Sequence, residues 1–120
     1  MKKLFIFLVV FACSEKKTDA LLSPNDFDSK YKATQNAILL DVRTVEEVKA
    51  GALAGAVNIV YDNAFADKLG TLEHKPIFVY CGSGIRSAKA AAILREKGYD
   101  PVFEMEGGMK AWKAAGLPVQ

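Results

Sequence analysis

Short apolar runs alternate along this chain with stretches whose apolar residues recur every three or four positions. Ala37-Ile38-Leu39-Leu40 and Ile77-Phe78-Val79-Tyr80 are continuous apolar runs, the pattern of strands buried on both faces of a parallel sheet. Ala56-Val57-Asn58-Ile59-Val60 and Val102-Phe103-Glu104-Met105 predict two further strands, and Leu21-Leu22 a short edge strand. The segments between them carry helix signals. Ser23-Pro24 is an N-cap followed by proline at the first helical position, and Phe27 and Tyr31 then share one face. Thr44-Val45-Glu46-Glu47 has the spacing of a capping box, and the helix it opens should stop near Gly51. Phe65 and Leu69 give helical spacing to residues Asn63 to Leu72. A helix from Ser87 to Lys97 ends at Gly98, a left-handed C-cap candidate, and a last helix from Met109 to Ala115 is stopped by Gly116 and Pro118. His74-Lys75-Pro76 and Gly107-Gly108 read as turns. Strands alternating with helices at these intervals predict an α/β fold, a mostly parallel central sheet with helices on both faces.

The first residues follow a different pattern. Met1-Lys2-Lys3 is a short positive segment, and Leu4 to Ala12 is uniformly apolar. That stretch is shorter than the ~20 residues a membrane span needs, and it reads as a secretory signal. It ends at Cys13, with small Ala12 before it and polar Ser14-Glu15-Lys16-Lys17 after it. This resembles the lipobox of bacterial lipoproteins, departing from it at Phe11, which is bulky where that pattern has a small residue. The resemblance implies lipidation of Cys13 and anchoring of an exported protein to a bacterial membrane on its periplasmic face; a soluble periplasmic protein cut elsewhere, or an uncleaved N-terminal anchor, are the alternatives. The expected organisation is a signal peptide over 1–12, a lipidated N-terminus and tether over 13–20, and one domain over 21–120.

Composition narrows the function. With 120 residues, 51% hydrophobic and 25% charged, the chain is one ordinary globular domain with enough length for a real core. The net charge of +2 vanishes if Lys2 and Lys3 are removed, and no basic stripe with interleaved aromatics suggests nucleic-acid binding. Two cysteines make no disulfide framework, and lipidation of Cys13 would leave Cys81 as the single thiol. No His, Cys or Asp cluster has metal-ligand spacing, and nothing in the chain calls for a cofactor. Protein partners and oligomeric state are not legible.

The chemistry concentrates in Cys81-Gly82-Ser83-Gly84-Ile85-Arg86-Ser87. A strand leads into this segment and a helix leads out, which places Cys81 where ligands bind in open α/β sheets. Gly82 and Gly84 let the backbone fold back so that successive N–H groups converge at a helix N-terminus, an anion nest. A thiolate there should have a pKa below the free-cysteine value, which predicts a reactive, partly exposed nucleophile. A buried, inert cysteine at a strand end is the bland alternative, and the flanking Gly82, Gly84 and Arg86 argue against it.

Three separated stretches resemble the rhodanese family. Leu39-Leu40-Asp41-Val42-Arg43 with Glu47, Gly51 and Gly55-Ala56-Val57-Asn58-Ile59 is similar to its first signature. The Cys81 to Ser87 segment is similar to its active-site loop, and Gly107-Gly108-Met109-Lys110-Ala111-Trp112 with Gly116-Leu117-Pro118-Val119 to its C-terminal signature. One departure stands in the first signature: Ala52, Leu53 and Ala54 occupy positions where the family usually has His, Ile and Pro. The resemblance covers about residues 21–119 and implies a three-layer rhodanese-like fold and a sulfurtransferase. Cys81 would take a sulfane sulfur from thiosulfate or a persulfide, hold it as a persulfide and pass it to a thiol or cyanide-like acceptor. Gly82, Ser83, Gly84, Ile85, Arg86 and Ser87 would bind the substrate and the bound sulfur.

Other roles are weighed against this. Arg86 is the loop's one cation, and either offers its fork to an anionic donor or forms a structural ion pair with Asp41 or Glu47. Asp41 and Arg43 sit at a strand end on the same rim; the simpler expectation pairs Arg43 with Glu47 and leaves Asp41 to tie down the turn. Trp112 should anchor the core with its N–H satisfied, Phe78 and Tyr80 should pack under helices, and His74 should be an exposed turn residue. A non-enzymatic persulfide carrier or protein-binding module is the alternative function. A phosphatase or arsenate reductase would use a longer loop than the four residues separating Cys81 from Arg86.

Overall fold

A computed structural model describes residues 20–120; the apolar leader and Cys13 lie outside the described residues. Five strands form one sheet: β1 (Leu21–Leu22), β2 (Ile38–Asp41), β3 (Val57–Asn58), β4 (Ile77–Tyr80) and β5 (Val102–Met105). Their order across the sheet is β1-β5-β4-β2-β3, and every pairing is parallel. The apolar run of β4 is therefore the sheet's centre, hydrogen-bonded to β2 on one side and β5 on the other, and all four of its residues are buried.

Alternation along β4 divides the core in two. Ile77, Val79 and Cys81 face Leu40, Val42, Phe65, Leu69, Ala90, Ala91 and Leu94. Phe78 and Tyr80 face the opposite layer, with Phe27, Leu39, Leu53, Met105, Met109 and Trp112. Phe78 meets Phe27 edge-on at 5.5 Å between ring centroids, a geometry that adds to area burial. Trp112 is buried as expected, and its indole N–H donates to the Pro118 carbonyl at 2.9 Å.

The helices are α1 (Pro24–Ala33), α2 (Val45–Ala50), α3 (Ile85–Glu96) and α4 (Gly108–Ala114). Ser23 caps α1 by accepting from the Asp26 N–H, and Thr44 and Glu47 form the reciprocal capping box of α2. Gly98 follows α3 at φ 94°, the left-handed conformation expected of it. Three boundaries differ from expectation. Residues 66–71 form a 3-10 helix, not an α-helix: Lys68 donates its N–H to both Ala64 and Phe65, while its ammonium is drawn back to the Val60 carbonyl and to Asp62. β3 is two residues long, because Asn58 turns its side-chain amide onto the Asp41 and Arg43 carbonyls. α3 begins at Ile85, two residues earlier than expected, since Gly84 at φ 102° closes the loop at once. His74 lies exposed in its turn and stacks on Tyr99 at 4.0 Å.

Candidate active site

Cys81 ends β4, and its side chain lies under the loop that follows. The Gly84 N–H donates to its Sγ at 3.1 Å and the Ser87 N–H at 3.3 Å. Both donors belong to the first turn of α3 or its cap, so the sulfur sits on the positive end of a 12-residue helix. Burial pushes the Cys81 thiol up, but hydrogen bonding from the Ser87 side chain and from the Ser87, Gly84 and Ser83 amides outweighs it, and the net shift is downward. The expected partial exposure is corrected: Cys81 is 0% exposed. Closure of the loop at Gly84 and the packing of Ala90 and Ala91 against its layer account for this.

The remaining loop residues fall into two groups. Ser83 and Ile85 are exposed, Ile85 to 65% although it is aliphatic. Gly82, Gly84 and Arg86 are half-buried, and Ser87 is buried, its hydroxyl donating to the Gly84 carbonyl at 3.3 Å. Arg86 forms a two-pronged pair with Glu47, Nη1 to Oε1 at 2.7 Å and Nη2 to Oε2 at 3.0 Å. The same Oε1 accepts from the Thr44 N–H and hydroxyl. The Arg86 hydrogen bond, partly offset by burial, brings the Glu47 carboxyl down to about 2.

The expected Arg43–Glu47 side-chain pair is not formed. Arg43 turns inward onto Asp41, with Nη2 to Oδ2 at 2.7 Å and Nε to Oδ1 at 3.0 Å, and gives a further bond to the Gly51 carbonyl at 2.7 Å. Asp41 is two residues away and fully buried, whereas Glu47 is held at the surface by its own cap and by Arg86. Tyr80 completes this second network: its phenol accepts from the Leu53 N–H at 3.1 Å and its ring lies 5.6 Å from the Arg43 guanidinium carbon. Asp41 and Arg43 thus tie the end of β2 to the C-terminal end of α2, and their hydrogen bonds go there and not to the sulfur.

One contributor was not singled out by sequence reasoning. The Met109 N–H donates to the Cys81 carbonyl at 2.8 Å and the Lys110 N–H to the Gly82 carbonyl at 3.1 Å. The first turn of α4 thereby takes the two carbonyls of the loop's entry, while the loop's own N–H groups turn to the sulfur. Gly108 makes this approach possible: a Cβ there would lie 2.5 Å from the Cys81 carbonyl oxygen and 2.6 Å from the Gly82 carbonyl carbon. Gly107-Gly108, which read as a turn and open the C-terminal signature, are the sequence signal for this contact. Among the described residues no group of His, Cys, Asp and Glu side chains converges as a metal site would.

This arrangement can stabilise a negative charge on the Cys81 sulfur. Comparison with known proteins agrees. A thiosulfate sulfurtransferase, GlpE, from Actinobacillus succinogenes is 38% identical over 88 residues, covering 72% of this chain and 78% of that protein. A sulfurtransferase from Allochromatium vinosum is 31% identical over 86 residues, covering 72% and 80%. The crystal structure of a rhodanese-related protein from Thermoplasma volcanium superposes with a TM-score of 0.73 at 32% identity, covering 82% of this chain and 95% of that one. The rhodanese-like domain family matches residues 23–115, and the chain belongs to that family.

Proposed function

We propose that this protein is a sulfurtransferase working through a persulfide on Cys81. The carrying observation is the convergence of the Gly84 and Ser87 amides on Sγ at the N-terminus of α3. Those donors favour the thiolate as nucleophile. The thiolate attacks the sulfane sulfur of thiosulfate or of an organic persulfide, the donor's S–S bond breaks, and sulfite or a thiolate leaves with the electron pair. The terminal sulfur of the resulting Cys81 persulfide carries the negative charge, and the same amides stabilise it as an oxyanion hole would. A thiol or cyanide then takes the outer sulfur and regenerates the thiolate. The sulfurtransferases similar in sequence support this reading.

The reaction is tested by following thiocyanate formation from cyanide with thiosulfate or an organic persulfide as donor. Turnover by the protein and none by Cys81→Ser supports the proposal. A Cys81 that loads sulfur but does not turn over with cyanide would instead make the domain a carrier that presents its persulfide to a partner. For the segment before the domain, the reading is a signal peptide with lipidation at Cys13. Fractionation of cells producing the protein tests it: a membrane-bound form that becomes soluble in Cys13→Ser supports it, and a cytoplasmic protein removes it.

A further inference from the structure

A cavity of about 180 Å³ opens in the layer on the other side of the sheet from Cys81. Buried Phe27, Leu53 and Trp112 form its floor, and no residue of the Cys81 to Ser87 segment lines it. The persulfide chemistry makes no use of it. Leu53 and Ala54, which line it, are two of the three residues at which the first signature departs from its usual form.

Size and walls select what this space can hold. An apolar cavity of about 150 Å³ accepts one benzene-sized molecule, so there is room here for a single ring and little more. Three of the walls are themselves aromatic, Phe27, Tyr31 and Trp112. Phe27 and Tyr31 each meet Phe78 edge-on at 5.5 Å between ring centroids, and the Trp112 indole N–H is held by the Pro118 carbonyl at 2.9 Å. Rings fixed in advance lose little freedom when a ligand arrives. They also favour an aromatic guest over an aliphatic one of equal size, through edge-to-face contact.

The polar groups narrow the choice further. Asp28 and Lys32, the two charged residues that line the cavity, pair with each other at 3.1 Å. An ion entering the apolar floor would lose its hydration and gain no counter-charge, so the fitting ligand is uncharged. One hydroxyl is left over. That of Tyr31, half-buried at the rim, has no hydrogen-bond partner among the described residues, and a Cβ on Gly55 would lie 3.6 Å from it. The Tyr80 and Tyr99 hydroxyls, by contrast, are both bonded to the backbone.

We propose that this cavity binds a small uncharged aromatic molecule of about the size of phenol, its ring among Phe27, Tyr31 and Trp112 and its polar substituent on the Tyr31 hydroxyl. The site is separate from the sulfurtransferase reading and does not depend on it.

The chain has one tryptophan, so the Trp112 indole N–H gives a single signal in a proton–nitrogen correlation spectrum and reports on the cavity from within its wall. Phenol is titrated against this signal, with toluene, cyclohexanol and benzoate for comparison. Phenol should shift it saturably, with a dissociation constant of about 1 mM or tighter. Cyclohexanol and benzoate should bind several-fold more weakly. Tyr31→Phe keeps the ring and removes the hydroxyl; it should weaken phenol about fivefold, the worth of one hydrogen bond, and leave toluene unchanged. Ala54→Leu, a change at an exposed position, narrows the cavity and should weaken both. A Trp112 signal that phenol does not saturate, or phenol affinity untouched by Tyr31→Phe and Ala54→Leu, would overturn the proposal. So would a signal that moves with protein concentration alone, which would give the cavity to a second copy of this chain.

Discussion

The Met109 amide donates to the Cys81 carbonyl at 2.8 Å, so the nucleophile is held from two directions at once. One helix supplies N–H groups to its sulfur and another takes its backbone oxygen. The second contact depends on Gly108, buried at φ 59° with no room for a side chain. Ala in place of Gly108 carries the left-handed penalty of about 1–2 kcal/mol and must also push α4 off the loop, so a loss above about 2 kcal/mol is expected. Gly70 is the contrast: exposed, with nothing within 4 Å of a Cβ. Gly70→Ala should change stability by less than about 1 kcal/mol. Urea unfolding of the two variants measures this, and equal losses would contradict the assigned role of Gly108.

The thiol of Cys81 should ionise below the ordinary cysteine range, since the donors around Sγ outweigh its burial. The rate of iodoacetamide alkylation against pH reads this directly. Ser87→Ala removes the hydroxyl, which also donates to the Gly84 carbonyl, and keeps the backbone donor, so the midpoint should rise. An unchanged midpoint would show that the amides alone set the thiol's acidity.

Several parts of this site were legible in the sequence and others were not, for physical reasons. The strands announced themselves because β2 and β4 are buried on both faces and so cannot alternate. The α2 capping box was legible because Thr44 and Glu47 are three residues apart and satisfy each other locally. The partner of Arg86 was left open between two carboxylates, since it lies 39 residues away and depends on how α2 packs beside the loop. The sequence suggests pairing Arg43 with Glu47, but burial of Asp41 decides the matter: an unpaired buried carboxylate costs far more than an unpaired surface one. The docking of α4 on the loop was hidden for the same reason as the Arg86 pair. It is a close approach between segments distant in sequence; Gly107-Gly108-Met109-Lys110 of the C-terminal signature mark the segment without showing what it touches.

Glu47 makes the domain acid-sensitive in a defined window. Its carboxyl lies at about 2 in the folded protein, below the unfolded value of 4.5. The Arg86 pair therefore contributes stability that is fully present above pH 4.5 and is lost as pH falls toward 2. Because both partners are about one-third exposed, solvent screening limits the effect to about 1 kcal/mol or less. Glu47→Gln should be less stable than the native protein at neutral pH, and the two should converge near pH 2. A gap that persists undiminished at pH 2 would mean that packing, and not charge, holds Glu47 in place.

Asp41 and Arg43 are both buried, and each satisfies the other. Asp41→Ala leaves the Arg43 guanidinium enclosed without its anion, and a loss of about 3–5 kcal/mol is expected. Replacing both, as Asp41→Ala with Arg43→Met, should recover part of that loss. Chemical denaturation of the single and double variants decides it. Additive losses would show that the two side chains are not coupled.

The most direct measurement is the intact mass of reduced protein carrying Cys13→Ser, so that Cys81 is the single thiol, after exposure to glutathione persulfide or thiosulfate and then to cyanide. A gain of about 32 Da, one sulfur atom, that disappears on adding cyanide and never forms when Cys81 is also changed to Ser is the predicted result. A folded, reduced protein that gains no sulfur from either donor would contradict the account.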